Sequence, residues 1–369
     1  MTRLRTARYP VRPQSSNPTV SVVIPCFNYA RFLPQSVGSA LDQEGVEVNV
    51  IIVDDASPDE SGDVARRLAA ADERIAVFVN EVNRGAVATF NRGLAEAHGE
   101  FVVRLDADDL LTPGSLARAI AVMQAFPDVG LVYGHPLHFD NEDLPPARTS
   151  ATGWLIWKGQ DWLASRCQQG SNVITSPEVV MRRSVVDVVG GQRDLAHTHD
   201  MEMWLRISAH ADVAYVLGAD QAWHRDHAGS LSMKAADPLV ILGEIRDAFD
   251  VLFEGESESI ADAQRLHKSA RRAVAEDALV YAQRRLDKGL VDERVHGLRE
   301  FAVECSPDVR SSPLWTRQQR QIEHPSGGSV QRLRGLPRRL LRRRDDVARR
   351  RRWHCTGVYE RLELGREGR

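Results

Sequence analysis

The sequence predicts an α/β fold in which a mostly parallel β-sheet carries helices on both faces. Three observations predict it. Strand-like and helix-like segments alternate through the first 140 residues. The strand-like segments are nearly continuous apolar runs, as in strands buried on both faces. Acidic side chains follow two of these runs, starting at Asp54 and at Asp106, and the ligand crevice of such a sheet lies at that edge.

Local patterns place the individual elements. Apolar, β-branched runs predict strands, at 19–24, 46–53, 74–79, 101–105 and 129–133. Helical periodicity lies between them, at 29–41, 59–71, 86–98 and 113–126. Asp59 in a first turn, Gly99 after a last turn and Pro113 in a first turn support these helix boundaries. Further along, we predict a strand, a helix and a long helical region, at 173–181, 201–209 and 238–305.

These patterns divide the 369 residues into four parts. We expect a flexible N-terminus over 1–18, an α/β domain over 19–237, a helical extension over 238–324 and an Arg-rich, poorly ordered tail over 325–369. The composition is 43% apolar, enough for a substantial core, and no apolar run approaches the length of a membrane span. A transmembrane protein, a collagen-like fibre and a wholly disordered chain are excluded.

Basic charge is concentrated near the C-terminus. The segment 331–352 holds 11 Arg and two Asp, although the whole chain has a net charge of −3. We expect weak peripheral contact of this tail with an anionic membrane, because each basic residue near such a surface contributes about 1 kcal/mol. A solvated tail, or one docked on the acidic body of the protein, is the alternative. Nucleic acid is another polyanion, but we expect no specific nucleic-acid partner.

Cysteine usage and the N-terminus predict the compartment. Cys26, Cys167, Cys305 and Cys355 lie far apart, with no metal-like spacing, and suit free thiols in a reducing environment. The first 18 residues contain arginines but no apolar stretch of the kind a signal peptide needs. We therefore expect a cytoplasmic protein, with possible attachment to the inner membrane face through the tail.

Three carboxylates crowd one predicted strand end, at Asp106, Asp108 and Asp109. Anions at this density repel one another unless a cation neutralises them, and hard oxygen ligands suit Mg²⁺ or Mn²⁺ carrying substrate phosphates. The alternative is an acidic turn in which Asp109 lies near a helix N-terminus. Delivery of the cluster to the expected crevice favours the metal.

A second acidic pair, Asp54 and Asp55, ends the neighbouring strand. Carboxylates there can accept hydrogen bonds from a nucleobase or from ribose hydroxyls. Ser57 and Asp59 follow, and we interpret them as helix-capping residues. Capping is the alternative for the whole group.

Five motifs occur in an order that resembles the family 2 glycosyltransferases with the GT-A fold, over residues 19 to about 235. They are SVVIPCFN at 21–28, IVDDAS at 52–57, NRG at 83–85, NRG at 91–93 and DADD at 106–109. The resemblance implies an inverting enzyme that uses Mg²⁺ or Mn²⁺ and transfers a sugar from a nucleotide-diphosphate sugar to a hydroxyl. UDP-sugars are the first guess, with GDP- and dTDP-sugars open. The acceptor would be a glycan or a lipid-linked molecule, as in polysaccharide biosynthesis.

The resemblance also implies roles for individual residues. The nucleotide would be bound by the following residues: Pro25 and Phe27 lining the base pocket, Asn28, Asp54, Asp55 hydrogen-bonded to the base, Arg84 and Asp106. The metal would be held by Asp108, Asp109 and His227. Arg225 would neutralise the leaving diphosphate, and His224 is a weaker candidate for the same region.

The segment HDMEMWLR at 199–206 resembles the family's acidic motif at a helix start. The resemblance implies that Asp200 is the general base that takes the acceptor proton. His199 stands where the family usually has Glu, which puts the contact around the base in doubt. The alternative for Asp200 is an N-cap, and Glu202 is a weaker candidate base.

Two other functions stay open at this stage. A nucleotidyltransferase uses a related sheet and metal carboxylates, but it has no use for a base at Asp200 and typically has a glycine-rich phosphate loop. A non-catalytic, sugar-nucleotide-binding scaffold at an anionic surface is the second. Trp154 and Trp157 suit either a sugar-stacking platform or one face of a packed helix.

Overall fold

The computed structural model describes residues 5–140, 143–227 and 237–324, with 336–337, 340–341, 343–348, 351 and 363–364 of the C-terminal region. Most of the predicted Arg-rich tail therefore lies outside the described residues, and so does Cys355. Within the described residues, no helix combines the length and apolar character that a membrane crossing needs.

The described strands form one mixed sheet. They are β1 (Arg5–Tyr9), β2 (Thr19–Cys26), β3 (Glu47–Asp54), β4 (Ile75–Val79), β5 (Phe101–Arg104), β6 (Leu110–Leu111), β7 (Val129–Phe139), β8 (Gly153–Trp157), β9 (Val180–Arg182), β10 (Asp212–Arg225) and β11 (Glu363–Leu364). Their order is β11-β1-β8-β10-β7-β9-β5-β2-β3-β4, with β6 paired to β10. Strands β5, β2, β3 and β4 are parallel, as are β7 and β10, whereas β8 and β9 run antiparallel to their neighbours.

Helices connect and cover the strands. They are α1 (Leu33–Leu41), α2 (Ser61–Ala71), α3 (Ala86–Ala95), α4 (Ser115–Ala125), α5 (Gly159–Gln169), α6 (Arg183–Val189), α7 (His199–His210), α8 (Pro238–Glu256), α9 (Ala263–Leu286), α10 (Glu293–Cys305) and α11 (Pro313–Glu323), with a 3₁₀-helix at Pro307–Ser311. The α/β class with a helical C-terminal region is thus confirmed.

Burial on both faces of the sheet explains the continuous apolar strands. Along β2, Val22 and Ile24 belong to one core cluster and Val23 to the other. Along β3, Val50 and Ile52 likewise alternate with neighbours that face the opposite side. Since successive strand residues point to opposite faces, a strand covered by helices on both sides needs apolar residues throughout.

Two expectations about individual elements were wrong. Residues Arg5–Tyr9, which we expected to be flexible, form β1 and pair with β8. The strand predicted at 173–181 is mostly a loop, since the Glu178 carboxylate accepts hydrogen bonds from the N–H groups of Thr175 and Ser176, and only Val180–Arg182 pairs. The Trp-rich stretch forms β8 followed by α5.

Burial of Trp154 and Trp157 removes the sugar platform. Both side chains are 1% exposed or less. Each lies in β8, and the two belong to the core clusters on opposite faces of the sheet. These aromatic rings therefore stabilise the core and do not face an acceptor.

The helical extension shares a core with the α/β domain. Trp162 and Cys167 of α5 belong to the same cluster as Val274 and Leu279 of α9. The contact is close at Gly170, where an added Cβ would lie 2.9 Å from Ala273 and from the Val274 nitrogen. The predicted boundary at 237–238 is therefore a change of secondary structure inside one continuous core. The functional division into parts stays a prediction.

Candidate active site

The predicted site residues lie at the carboxyl ends of the parallel strands. Asp54 ends β3, Asp106 lies two residues after the end of β5, and Arg225 ends β10. The sheet order places β5, β2 and β3 side by side, and β6, whose strand begins just after Asp109, pairs with β10. The topology thus brings four distant segments to one edge.

Asp55 holds the loop that leads into α3. Its carboxylate is 2% exposed and accepts hydrogen bonds from Asn80 Nδ2 at 2.7 Å, from the Arg84 N–H at 2.8 Å and from the Gly85 N–H at 2.8 Å. These three bonds fix the α3 N-terminus, whose N-cap is Gly85 with a φ of 83°. The predicted bond from Asp55 to a base stays a prediction, while the exposed Arg84 side chain is positioned through its backbone.

Side chains from the β3–α2 connection hold the loop after β2. Pro25 is buried opposite Val53, whereas Phe27 is 40% exposed. Asn28 has a φ of 64°, and its N–H donates to Ser57 Oγ at 3.0 Å. A turn of this kind, with an exposed aromatic ring, suits a surface on which a base could stack.

Two more side chains of that connection bind the same loop. Asp59 Oδ2 accepts from the Ala30 N–H at 3.2 Å, and Ser61 Oγ accepts from the Tyr29 N–H at 3.0 Å. We predicted Ser57 and Asp59 as capping residues, but the N-cap of α2 is Glu60. Ser57 and Asp59 instead connect the two loops. Asp54 Oδ1, in contrast, is buried without a hydrogen-bond partner among the described residues.

The three crowded carboxylates face three different partners. Asp106 accepts a hydrogen bond from Arg104 Nη2 at 2.8 Å, and Asp108 lies 2.8 Å from His227 Nε2. Asp109 is 1% exposed; it accepts from the Arg225 N–H at 2.9 Å and lies 3.1 Å from His224 Nδ1. The structure therefore brings Asp108 and His227 together, and it engages Asp109 with β10 instead.

The charge around Asp108 fits a divalent cation. Burial, together with the negative charges of Asp109 and Asp106, raises the pKa of Asp108 to about 7. A nearby cation would stabilise the ionised form of a carboxylate in this position. The available ligand atoms, carboxylate oxygens and one imidazole nitrogen, suit Mg²⁺ or Mn²⁺. The residues that could hold the ion are Asp106, Asp108 and His227.

Arg225 is a positioning residue for Asp108 in this arrangement. Its guanidinium lies between the rings of Phe32 and Phe139, 4.5 and 4.4 Å from their centroids. Nε donates to the Asp108 carbonyl oxygen at 3.0 Å, and Nη2 donates to Gln35 at 2.9 Å. The side chain is 5% exposed, so the predicted phosphate contact of Arg225 stays a prediction.

The predicted base, Asp200, lies next to a hydrogen-bonded link between the end of β5 and the start of α7. Arg104 donates to Asp106 through Nη2, and its Nη1 lies 2.9 Å from His199 Nε2. Because a guanidinium only donates, we assign the hydrogen of His199 to Nδ1, which faces the Leu195 carbonyl oxygen at 3.3 Å. Burial and the charge of Arg104 lower the pKa of His199 to about 4, so this histidine is neutral.

The pKa of the Asp200 carboxyl is raised toward neutral pH. Burial raises its pKa from an ordinary 3.8 to about 6, although Arg104 and the Met201 N–H, which donates at 2.6 Å, oppose the rise. A carboxylate with this pKa is ionised at pH 7 and more basic than an exposed Asp. The arrangement can take a proton from a hydroxyl near α7.

Glu202 has a structural role. It is fully buried and pairs with Arg206 at 2.9 Å and with Arg193 at 3.1 Å. Arg206 in turn donates to the carbonyl oxygens of Gly190 and Gly191. The carboxylate is thus committed to two guanidiniums, so the weaker prediction of Glu202 as base is wrong.

Sequence reasoning missed two residues that shape the site. Asn91 exchanges two hydrogen bonds with the backbone of Gln192, at 2.7 and 2.8 Å, and so connects α3 to the loop before α7. The motif at 91–93 pointed to it without giving a role. Arg104 is a charged residue at the end of an apolar strand, and that contrast was the available signal.

Sequence comparisons match part of the chain to known glycosyltransferases. The family model described as glycosyl transferase family 2 matches residues 21–190. An uncharacterized glycosyltransferase of Nostoc sp. is 35% identical over 46% of this chain and 52% of its own length. A GalNAc(5)-diNAcBac-PP-undecaprenol β-1,3-glucosyltransferase of Campylobacter jejuni is 37% identical over 27% of this chain and 33% of its own. The chain thus spans about half the length, or less, of these relatives.

A solved structure shows the same fold. The crystal structure of S. aureus TarS residues 1–349, in complex with UDP-GlcNAc, superposes with a TM-score of 0.50 at 18% identity, covering 82% of this chain and 92% of that one. The chain therefore shares the overall fold of that structure. The family model matches 170 of the 369 residues, so the family 2 match describes this part of the chain.

Proposed function

We propose that this protein is an inverting glycosyltransferase that moves a sugar from a nucleotide-diphosphate sugar to a hydroxyl. The observation that carries the proposal is the link from Asp106 through Arg104 to His199, the residue before Asp200. It connects the strand end expected to bind the donor with the helix that carries the expected base. Neither a nucleotidyltransferase nor a binding scaffold has a use for a carboxylate tuned in this way beside the donor site.

Inversion needs a single displacement at the anomeric carbon. Asp200 takes the proton of the acceptor hydroxyl while that oxygen bonds to the anomeric carbon, and the bond to the diphosphate breaks with its electron pair leaving on the diphosphate. Asp106, Asp108 and His227 would hold a divalent cation, which supplies charge neutralisation for the leaving diphosphate. Asp109 and Arg225 keep the strand end that carries His227 in place.

The substrates are proposed by class. UDP-sugars are the first donors to test, since the TarS structure was solved with UDP-GlcNAc. A glycan or lipid-linked acceptor is supported by the name of the Campylobacter relative, which includes PP-undecaprenol. We retain the cytoplasmic location as a proposal; the described cysteines, Cys26, Cys167 and Cys305, are free and buried, in keeping with it. Contact of the tail with an anionic membrane also stays a prediction.

A donor screen tests the function. UDP-, GDP- and dTDP-sugars are offered with Mn²⁺ or Mg²⁺, and release of nucleoside diphosphate is followed with and without acceptor. Asp200→Asn should lower transfer by about 10²- to 10⁴-fold, the usual contribution of a general base. Asp194→Asn, at an exposed position of the same segment, is the matched control and should leave transfer unchanged. Full transfer by Asp200→Asn would remove Asp200 from the mechanism, and pyrophosphate release from nucleoside triphosphates would favour a nucleotidyltransferase.

A further inference from the structure

A second cluster of metal-ligating side chains lies at the ends of β7 and β10. His138 and His224 are paired in register, and their ring centroids are 5.0 Å apart. Asp226 lies 3.2 Å from His138 Nδ1 and 3.8 Å from His224 Nε2. One ligand atom from each of the three residues falls within 4.8 Å of the other two. The proposed function uses none of these three side chains.

Asp109 orients His224 toward this cluster. Asp109 Oδ2 lies 3.1 Å from His224 Nδ1, while Oδ1 of the same carboxylate is held by the Arg225 N–H. An ionised carboxylate accepts hydrogen bonds, so Nδ1 carries a hydrogen and Nε2 points to Asp226. Histidine ligands of metals are commonly held in this way, with a carboxylate on the other ring nitrogen.

We propose that His138, His224 and Asp226 bind a transition-metal dication such as Zn²⁺. Two imidazoles and one carboxylate match the ligand preferences of Zn²⁺ and of Co²⁺, whereas Mg²⁺ prefers oxygen ligands alone. Three protein ligands leave a fourth position for water. The site is separate from the Asp108–His227 pair and goes beyond the proposed transfer reaction.

The side chains have room to close around an ion. Zn–N and Zn–O bonds of about 2.0–2.1 Å place tetrahedral ligand atoms roughly 3.4 Å apart, closer than the widest spacing in the cluster. His138 and Asp226 are 42% and 46% exposed, so both can change rotamer without disturbing the core. His224, which is held by Asp109, provides the fixed point.

Such an ion would join β10 to β7. These neighbouring strands pair up to Arg225 and Phe139, and the Asp226 N–H donates to the Phe139 carbonyl oxygen at 2.8 Å. A metal bond between His138 and His224 would add a cross-link beyond this last backbone hydrogen bond. Because metal binding stabilises the folded state, the ion should raise the melting temperature.

Co²⁺ and Zn²⁺ titrations of the metal-stripped full chain test the site. Co²⁺ with imidazole ligands is followed by its visible absorption, and Zn²⁺ by displacement of Co²⁺. His138→Ala and Asp226→Asn should each weaken Co²⁺ binding at this site by about 10- to 100-fold or more, and they should remove the Zn²⁺-dependent rise in melting temperature. His98→Ala, at an exposed histidine outside the cluster, is the control and should titrate like the wild type.

Asp108→Asn separates the two centres. That variant should keep the Co²⁺ spectrum and the Zn²⁺-dependent thermal shift, because Asp108 does not belong to the cluster. The proposal is overturned if His138→Ala binds Co²⁺ as tightly as the wild type does. It is equally overturned if Asp108→Asn loses the spectrum while His138→Ala retains it. Circular dichroism confirms that each variant is folded.

Discussion

The pH dependence of transfer is a sharp test of the base. Burial raises the pKa of Asp200 from 3.8 to about 6, and only the ionised carboxylate can take a proton. Activity should therefore be lost as the pH falls through about 6. At pH 5 about a tenth of Asp200 would remain ionised, so kcat/KM should drop about tenfold from its plateau, whereas an Asp with an ordinary pKa would lose less than about a tenth.

The assay measures kcat/KM for the donor between about pH 4.5 and about pH 8. This interval covers roughly the range over which raised carboxylates and His titrate. The pKa of Asp108, about 7, predicts a second acidic limb that moves with metal concentration. Saturating Mn²⁺ should suppress that limb, and the limb that remains should belong to Asp200.

Arg104→Gln supplies the matched perturbation. The positive charge of the Arg104 guanidinium opposes the rise in the pKa of Asp200. Its removal should therefore shift the remaining limb of the pH profile to higher pH, and it should also lower kcat. His98→Ala should leave the limb in place. A flat profile down to pH 5, or a limb that does not move in Arg104→Gln, would refute the assignment of Asp200 as base.

Four further predictions concern stability and are checked by urea or thermal unfolding. Asp55→Ala should destabilise the fold by about 3 kcal/mol, since it leaves three donors around the α3 N-terminus without their acceptor; an unchanged midpoint would contradict this role. Gly191→Ala should cost about 1–3 kcal/mol because its Cβ would lie 2.4 Å from the Asn91 Oδ1. Gly243→Ala, inside α8 with no atom within 4 Å, should instead stabilise by about 0.5–1 kcal/mol. Glu202→Gln should destabilise by about 3–5 kcal/mol, and a loss below about 1 kcal/mol would argue against a buried ion pair.

The sequence predicted the layers of this fold, and several of the residues proposed for the site meet at one edge of the sheet. Strands such as β2 and β3 are buried on both faces, so their apolar runs were unmistakable. Strand β1 was missed because it contains two arginines and no apolar run, and its pairing with β8 depends on a partner about 150 positions away. A local pattern carries no information about such a partner.

The sequence predicted which residues belong to the candidate site, but it did not predict the different roles of Asp108 and Asp109. Asp108 and Asp109 are adjacent and of the same residue type, so the sequence alone does not distinguish a candidate metal ligand from a structural carboxylate. The distinction comes from the end of β10, where His224 contacts Asp109, and from the residues that follow it, where His227 contacts Asp108. These partners are 115 and 119 positions apart along the chain. Contacts at this separation exist only once the sheet has formed.

Side chains along β10 alternate between the two faces of the sheet, and this alternation limits which insertions and deletions the strand can accept during evolution. The pairing of β10 with β7 contains register irregularities between Tyr215 and Ala222, ahead of His224 and Arg225. Deleting one residue there would exchange the faces of every side chain that follows. His224 would then occupy the position of Trp223, and Arg225 that of His224, so the contacts of His224 with Asp109 and of His227 with Asp108 would be lost at once. Substitutions in this strand can be sampled one at a time, but insertions and deletions should be tolerated only in pairs.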